Sequence, residues 1–274
     1  MTPERSHKNP ESGDLLAQKA AECYDANPVF PEDIPFYQAR IPSPRARVLE
    51  LGCGTGRVLL SLIEHCGYIH GVDFSKEMLS RCQAKLWERG VAPDKARAEL
   101  GDITKLSLGM EFDFVIAPFR VLQLLETDEQ AAGLFQTIRR HMTPGGSAIL
   151  NVFNPKYDPQ GMLGNWVSAE EMLIWETPYK GGQLTCHARK LRFDVETQVA
   201  YPELVFRLKE GDAVRDEVVQ PLAMRCYYPD EFLRLIESQG FRVIARWGGY
   251  HGEPYGEGPE LVAQFKLAGG RSPG

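Results

Sequence analysis

Long apolar segments are missing from this sequence, since no run approaches the roughly 20 residues that a membrane-spanning helix needs. Basic residues are also in the minority, at 31 Lys and Arg against 37 Asp and Glu. This balance argues against nucleic-acid binding, which favours a basic face. Residues 1–14 are polar and mixed in charge, unlike a signal peptide, and are predicted to form a disordered tail. We therefore expect a cytoplasmic protein whose partners are neither membranes nor nucleic acids.

Cysteine is present six times, but never in the C-x-x-C spacing that zinc and redox sites use. Cys53, Cys66 and Cys82 lie inside strand or helix patterns, where a thiol usually serves as a small core residue. Cys186 and His187 are adjacent, but in a strand they would point to opposite faces and could not share a metal. We expect reduced thiols and no metal site.

The most informative stretch is an apolar strand that runs into three glycines at alternate positions. Residues 48–51 (Val-Leu-Glu-Leu) are typical of a buried strand, and Gly52, Gly54 and Gly56 follow before a helical pattern begins near Thr55. Glycine lets the backbone adopt a positive φ and approach a ligand closely. The amino terminus of the following helix favours an anionic group. This strand, turn and helix predict the opening of a nucleotide-binding βα unit.

Two classes of ligand compete for such a turn. The dinucleotide fingerprint G-x-G-x-x-G needs a third glycine where this chain has Arg57, which weakens that interpretation. Two later strands end in acids, in the stretches 69–73 (Ile-His-Gly-Val-Asp) and 101–103 (Gly-Asp-Ile). With Glu50 ahead of the glycines, this arrangement resembles motif I and its partner motifs in the class I S-adenosylmethionine (SAM) methyltransferases. A nicotinamide-dependent enzyme is the residual alternative.

The resemblance implies a role for each matching residue. The backbone of Gly52–Gly56 would hold the methionine moiety of SAM, Asp73 would bind the ribose hydroxyls, and Asp102 with Ile103 would contact the adenine. Arg57 is a candidate to reach the cofactor carboxylate. The cofactor residues expected on this basis are Tyr24, Tyr37, Glu50, Gly52, Cys53, Gly54, Gly56, Arg57, Asp73, Phe74, Met78, Asp102, Ile103, Ala117 and Phe119.

Some of these expectations have ordinary structural alternatives. The resemblance implies that residues 15–44 fold over the cofactor as a lid, with Tyr24 and Tyr37 in contact with it, but aromatic residues here are also compatible with surface packing. Phe74 and Met78 would wall the adenine, although Met78 also has the spacing of a core residue in a helix.

Strand and helix patterns alternate along the chain and predict an α/β fold. Further strands over 112–117 and 147–153 flank a helix opened by a capping box at residues 127–130. This order predicts a doubly wound, Rossmann-like, mainly parallel sheet of seven strands with helices on both faces. Residues 15–267 are expected to form one methyltransferase domain, followed by a C-terminal tail at 268–274.

The helical period disappears between residues 154 and 228 and is replaced by alternating strand patterns. We predict a small antiparallel sheet inserted as a cap over a substrate pocket. The alternative is a dimerisation platform with no role in substrate binding, so a homodimer belongs to the expectations.

Residues after the fourth strand bear on the substrate. Ala117-Pro118-Phe119-Arg120 replaces the Asn/Asp-Pro-Pro-Tyr signature of enzymes that methylate exocyclic nitrogens of nucleobases or glutamine amides, which argues against that class. The backbone at Ala117 and Phe119 would lie near the sulfonium. Arg120 is a candidate to pair with an acidic substrate, and an ordinary surface ion pair is the alternative. Tyr228 and Tyr255 are further candidates for the substrate site.

The choice of acceptor decides whether a base is needed. Alignment alone serves an amine, whereas a hydroxyl needs a base of suitable pKa. His187 in the predicted cap and His251 in the loop over residues 248–259 are the histidines that the fold would deliver, and we hypothesise that one of them is this base. A flexible loop tip is the alternative for His251.

The expected function is transfer of a methyl group from SAM to an oxygen or nitrogen of a small-molecule acceptor, with S-adenosylhomocysteine as the product. A methyltransferase that acts on protein or RNA and a SAM-binding protein without turnover are the alternatives.

Overall fold

The computed structural model describes residues 10–156 and 167–269. Its helices are α1 (Pro10–Asp25), α2 (Ile34–Gln38), α3 (Arg57–Leu62), α4 (Lys76–Glu88), α5 (Asp128–His141) and α6 (Pro229–Ser238). Its strands are β1 (Arg47–Leu51), β2 (Tyr68–Asp73), β3 (Ala96–Leu100), β4 (Phe112–Ala117), β5 (Met142–Phe153), β6 (Ser168–Tyr179), β7 (Gly182–Asp194), β8 (Val199–Glu210), β9 (Ala213–Pro221), β10 (Met224–Arg225), β11 (Phe241–Trp247) and β12 (Glu260–Leu267).

Seven of these strands form the central sheet in the order β11-β12-β5-β4-β1-β2-β3. The five strands from β3 to β5 are parallel, and β12 runs antiparallel to both β5 and β11. Strand β11 therefore runs in the direction of the parallel strands. The loop that follows it lies at the edge of the sheet where the carboxyl ends of these strands meet, which we call the carboxyl edge. The predicted doubly wound, mainly parallel sheet is confirmed.

Both faces of the sheet are covered, which explains the nearly continuous apolar sequence of its strands. On one face, β1 contributes Val48 to a core that includes side chains of α3 and α4. On the other face, Leu49 and Leu51 pack in a core with side chains of α5 and α6. Two helix starts agree with their sequence signals: Ser75 caps α4, and the Thr127 capping box opens α5.

The inserted segment forms a separate antiparallel sheet, as predicted. Strand β8 is paired with β7 along one edge and with β9 and β10 along the other, while β6 completes the sheet beyond β7. Helix α1 packs on one face of this sheet through Ala20 and Cys23, against side chains that include Cys186 and Phe206. Lys19 also pairs with Asp216 of β9 at 2.7 Å. The N-terminal helix therefore joins the inserted sheet to the rest of the fold.

The predicted N-terminal tail is shorter than expected, because α1 begins at Pro10 and includes residues 10–14. Residues 1–9 and 270–274, where the remainder of the two predicted tails falls, lie outside the described residues. Within the described ranges, no helix combines the length and apolar character needed to cross a membrane.

A close backbone contact fixes α5 against the segment after β3. A Cβ on Gly133 of α5 would lie 2.6 Å from the backbone oxygen of Thr104. In an unconstrained helix the change from glycine to alanine stabilises by about 1 kcal/mol. Here the added methyl group requires backbone movement, and overpacking of this kind typically costs about 1–3 kcal/mol.

We expect Gly133→Ala to lower the melting temperature in a thermal unfolding experiment, against the trend of helix propensity. Gly145→Ala is the matched control, because a Cβ there meets no atom within 4 Å, and its melting temperature should stay near that of the parent. A Gly133→Ala protein as stable as the parent would contradict the close contact.

Candidate active site

The glycine turn after β1 is held to the end of β2 by backbone hydrogen bonds. Gly52 N and Cys53 N donate to Val72 O at 2.8 and 3.0 Å, and Gly54 N donates to the Asp73 carboxylate at 2.7 Å. All three glycines have positive φ, as the pattern predicts. Gly52 cannot be replaced easily, because a Cβ there would lie 2.5 Å from Val121 Cγ2, whereas a Cβ on Gly54 would meet open space. The turn therefore presents its backbone at Gly54 to an open region at the carboxyl edge.

Asp73 stands at the end of β2 beside this turn, as predicted. Its carboxylate accepts hydrogen bonds from Gly54 N and from Ser75 N, the latter at 2.9 Å. Burial raises the pKa of Asp73, although these N–H groups oppose the shift. The following residue, Phe74, leaves 74% of its surface exposed, and Met78 is half-buried. An anchored acid beside an exposed aromatic ring suits a ligand with hydroxyl groups next to a flat ring system.

Glu50 is a buried carboxyl group with incomplete hydrogen bonding. Only 2% of the residue is exposed, and Oε2 has no partner among the described residues. Burial is the main cause that raises its pKa well above the usual range. Because buried polar atoms are nearly always satisfied, this unpartnered oxygen is compatible with a ligand that supplies a donor.

Arg57 and Asp33 form a two-point ion pair between α3 and the segment before α2. The two guanidinium nitrogens lie 2.6 and 2.7 Å from the two carboxylate oxygens, and Asp33 is fully buried. Burial opposes the charge on Arg57, but the hydrogen bonds and charge of Asp33 outweigh it and hold the pKa of Arg57 above its usual value. The guanidinium expected to reach the cofactor carboxylate is therefore engaged by a carboxylate of the chain itself.

Aromatic rings from the N-terminal segment cover the end of β4. Tyr24 of α1, Phe30 and Phe119 contact one another edge to face, with ring centroids 5.2 to 6.2 Å apart. The Arg57 guanidinium lies 4.8 Å from the Phe30 ring centre and 5.6 Å from that of Phe119. Burial raises the pKa of Tyr24 to about 12, so the phenol stays neutral. These contacts enclose the carboxyl edge from the side of α1.

Phe119 and Arg120 form a strained turn after β4. Their φ angles are 58° and 68°, in a region that residues other than glycine seldom occupy. Arg120 N donates to Asn151 Oδ1 at 3.2 Å, and Arg120 Nε donates to Glu260 at 3.0 Å. Asn151 also donates to Glu260, at 2.9 Å, so Asn151 of β5 and Glu260 of β12 together hold the strained backbone at Arg120.

The prediction that Arg120 pairs with an acidic substrate needs correction, because this arginine, like Arg57, is paired with a carboxylate of the chain. Its guanidinium pairs with Glu260, a buried residue of the chain, and is not left free for a ligand. Sequence reasoning missed Asn151 and Glu260. The available signal was a polar residue within an otherwise apolar strand pattern, near the carboxyl end of β5 for Asn151 and at the start of β12 for Glu260.

Two tyrosines complete the enclosed part of the carboxyl edge. Tyr37 of α2 is fully buried, and Tyr250 follows β11 with its ring centre 6.2 Å from that of Tyr37. Burial raises the pKa of Tyr37, and a side-chain hydrogen bond with Tyr250 opposes the shift. Tyr37 was expected from the sequence, but as a cofactor contact, and Tyr250 was missed because a loop tyrosine carries no periodic signal.

The structure does not bring His187 to this site. Its neighbour Cys186 packs towards α1, and successive residues of a strand point to opposite faces, so His187 lies on the other face of the inserted sheet. Burial lowers its pKa, and the charges that act on it belong to Arg207 and Glu171 of that outer face. His187 is therefore not placed to be the base that we hypothesised.

Other candidates make contacts within the protein. The His251 side chain is 63% exposed and lies 3.8 Å from the exposed Glu32, so solvent surrounds it. The Tyr255 hydroxyl donates to Pro229 O at 2.8 Å, and the Tyr228 N–H donates to Glu231 at the start of α6. The Tyr255 hydroxyl is thus engaged at α6, whereas the contact of Tyr228 is made by its backbone and a substrate contact of its ring stays a prediction.

Asp102 and Ile103 follow β3, as the predicted strand order requires. Asp102 is exposed and accepts hydrogen bonds from the N–H and hydroxyl of Thr104, whereas Ile103 is buried. The carboxylate therefore stabilises its own turn. Their contact with an adenine ring stays a prediction, as do the contacts expected of Cys53 and Ala117, which are buried at the ends of β1 and β4.

Comparison with known proteins agrees with this geometry. Residues 48–146 match the family model described as a methyltransferase domain. Phosphatidylethanolamine N-methyltransferase from Cereibacter sphaeroides is 34% identical over 153 residues, which are 55% of this chain and 73% of that relative. The chain belongs to the class I SAM-dependent methyltransferases.

A second relative covers less of the chain. The dTDP-3-amino-3,4,6-trideoxy-alpha-D-glucopyranose N,N-dimethyltransferase from Streptomyces venezuelae is 28% identical over 123 residues, 45% of this chain, which spans about half (48%) of that relative's length. Among solved structures, the CcbJ methyltransferase from Streptomyces caelestis has a TM-score of 0.73 at 21% identity, with 92% of this chain and 98% of that chain covered. At this identity the likeness concerns the fold.

The residues of the glycine turn fit SAM, the cofactor of this family. The region beside Gly54 is open, Asp73 is anchored with its carboxylate at the end of β2, and the unpartnered Glu50 oxygen requires a hydrogen-bond donor. The methionine moiety of SAM carries an ammonium group that is such a donor.

Replacing Glu50 by glutamine tests the burial of this carboxyl group. The pKa of Glu50 in the folded protein is raised above the ordinary value of 4.5. Above pH 4.5 the unfolded chain therefore loses a proton that the folded chain still holds. As the pH rises, this difference lowers the free energy of unfolding. We expect Glu50→Gln to raise the melting temperature of the ligand-free protein at about pH 8 and to change it little at about pH 5.

Glu88→Gln, at an exposed position of α4, is the matched control for the loss of one carboxylate. Glu50→Gln should also weaken SAM binding in calorimetry, because the amide keeps an acceptor oxygen but loses the negative charge expected to attract the ammonium group of SAM. Equal shifts of melting temperature at both pH values would contradict the raised pKa.

Proposed function

We propose that this protein transfers the methyl group of SAM to an oxygen or nitrogen of a small molecule. The observation that carries the proposal is the enclosure of the carboxyl edge, where Tyr24 and Phe30 contact Phe119 at the end of β4. A site closed in this way suits an acceptor that fits beneath the N-terminal segment. A folded protein or an RNA helix would need an open groove.

The proposed cofactor site follows the glycine turn. The backbone of Gly52–Gly56 and the Glu50 carboxyl group hold the methionine moiety, Asp73 binds the ribose hydroxyls, and Phe74 with Met78 lies along the adenine. Support comes from the open space beside Gly54, from the anchored Asp73 carboxylate and from the exposed Phe74 ring.

When bound, SAM supplies an electrophilic methyl group on a sulfonium. The contribution of the chain is alignment and exclusion of water, and alignment of this kind is worth as much as ~7–11 kcal/mol of the barrier. The strained turn at Phe119 and Arg120 is held at Arg120 by Asn151, which is bonded in turn to Glu260, and the Phe119 ring packs against Tyr24 and Phe30. Aromatic faces at this place also favour a cation such as a sulfonium.

The names of the relatives support a small acceptor. Both relatives quoted above are named as N-methyltransferases: one acts on an amino sugar nucleotide and the other on phosphatidylethanolamine. The chain matches only part of each relative, so their acceptors do not transfer to it directly. A protein or RNA methyltransferase is disfavoured by the net charge of −6 as well as by the enclosure. A protein that binds SAM without turnover is disfavoured by the intact glycine turn and acids.

A cytoplasmic location belongs to this proposal. All six cysteines are buried free thiols, which is compatible with a reducing compartment.

A homodimer through the inserted sheet is part of the same proposal, and its support is that the outer face of that sheet is not covered by α1.

The test is transfer of label from SAM with an isotopically labelled methyl group into a small-molecule extract. We expect the label to enter low-mass compounds with the parent protein. Gly54→Val should abolish both transfer and the heat of SAM binding, because a β-branched residue is strained at a φ of 54° and its side chain would fill the open region.

Gly145→Ala, which is remote from the turn, is the control and should retain both activities. Label that enters protein or RNA would favour the alternative substrates. Binding of SAM without any transfer would contradict the proposed activity.

A further inference from the structure

The last turn of α1 is attached on both sides of the glycine turn. The Tyr24 ring packs against Phe119 after β4, with ring centroids 6.2 Å apart. The adjacent Asp25 carboxylate instead accepts hydrogen bonds from α4, from Arg81 Nε at 2.6 Å and from Lys85 Nζ at 2.7 Å. Burial opposes the charge of Asp25, but hydrogen bonds, led by that from Lys85, outweigh it and lower the pKa of this carboxyl group. Because β1 lies between β4 and β2 in the sheet, and α4 follows β2, the end of α1 spans the turn that follows β1.

Lys85 also bonds the glycine turn itself. Its ammonium group donates to Thr55 O at 3.0 Å, in addition to the Asp25 carboxylate. Thr55 is buried and lies between Gly54 and the Gly56 N-cap of α3. A buried carbonyl oxygen needs a hydrogen-bond donor, and here the side chain of a separate helix supplies it. One ammonium group thus connects the end of α1, the glycine turn and α4.

Close packing fixes α4 against the same turn. A Cβ on Gly56 would lie 2.6 Å from Cys82 Sγ, so the glycine allows α4 to approach the backbone of the turn closely. Cys82 precedes Lys85 by three residues, which places both on one face of α4. The position of Lys85 over Thr55 is therefore set by the packing of the helix as well as by the reach of its side chain.

We propose that Lys85 is a positioning residue for SAM, which holds the glycine turn through Thr55 and couples the shape of that turn to the docking of α1 through Asp25. The proposal rests on the proposed function and adds to its cofactor site a residue that acts on SAM only through other residues. Coupling between two such events is reciprocal. SAM therefore binds more tightly while α1 is docked, and α1 docks more firmly while SAM is bound.

Arg81 and Lys85 are a matched pair for the test, because both donate to Asp25 and their side chains are 35% and 30% exposed. The bond to the Thr55 oxygen belongs to Lys85. We expect Lys85→Met to raise the Kd for SAM in calorimetry about five- to thirtyfold, the range for loss of one hydrogen bond that involves a charged group. Arg81→Met should raise the Kd by less than about threefold, since a partly exposed ion pair contributes little.

Lys85→Arg is the conservative variant, because a guanidinium group has donors for both oxygen atoms. Its Kd for SAM should return towards that of the parent. All titrations are made well below the melting temperature of each variant, where a loss of global stability alone leaves the Kd of a fully folded protein unchanged. Equal effects of Lys85→Met and Arg81→Met on the Kd, or an unchanged Kd for Lys85→Met, would overturn the role of Lys85.

Hydrogen exchange followed by mass spectrometry tests the coupling in the parent protein alone. Saturation with SAM should slow the exchange of the amide groups of α1, and the slowing should be smaller in Lys85→Met. Exchange of α1 in the parent that is the same with and without SAM would overturn the coupling. A parent protein that does not bind SAM would instead overturn the proposed function, so the two failures are distinguishable.

Discussion

The enclosed site depends on the ion pair between Arg57 and Asp33. Arg57 begins the helix that follows the glycine turn, and Asp33 belongs to the segment that precedes the first strand of the sheet. Burying two charges is costly, and removal of one partner from a buried pair typically costs about 3–5 kcal/mol. Each of the two charges is therefore stable in its buried position only when it is paired with the other. The intact pair holds the N-terminal segment over the carboxyl edge. Tyr24 and Phe30 reach Phe119 because of this contact.

Two unfavourable features lie near this pair. Glu50 has an unpartnered buried oxygen, and Phe119 with Arg120 occupies a strained backbone region. Sequences are locally consistent with their folds except where function requires otherwise. The buried carboxyl group explains why Glu50→Gln is expected to stabilise the ligand-free protein at about pH 8 while it weakens the binding of SAM.

The inserted sheet has two faces with different roles. One face receives α1 and so connects the sheet to the lid and to α4, where Asp25 of α1 pairs with Lys85 at 2.7 Å. The other face carries His187 among ion pairs such as that between Arg207 and Glu171. This division explains why a histidine in the predicted cap did not reach the site. A strand presents alternate residues to opposite faces, and sequence alone does not say which face is covered.

The sequence by itself determined the order of strands and helices, the glycine turn and Asp73, because these depend on local signals: apolar periodicity, positive φ at glycine, and an acid at the end of a strand. It also indicated an inserted antiparallel sheet, since alternation with a period of two is local as well. The pairing of Arg57 with Asp33 and of Arg120 with Glu260 was decided only by the tertiary structure. These partners are far apart along the chain and are brought together by the sheet order and by the path of the N-terminal segment. For the same reason two arginines that appeared free to bind a ligand are neutralised within the fold, and two tyrosines with no periodic signal become polar groups of the enclosed site.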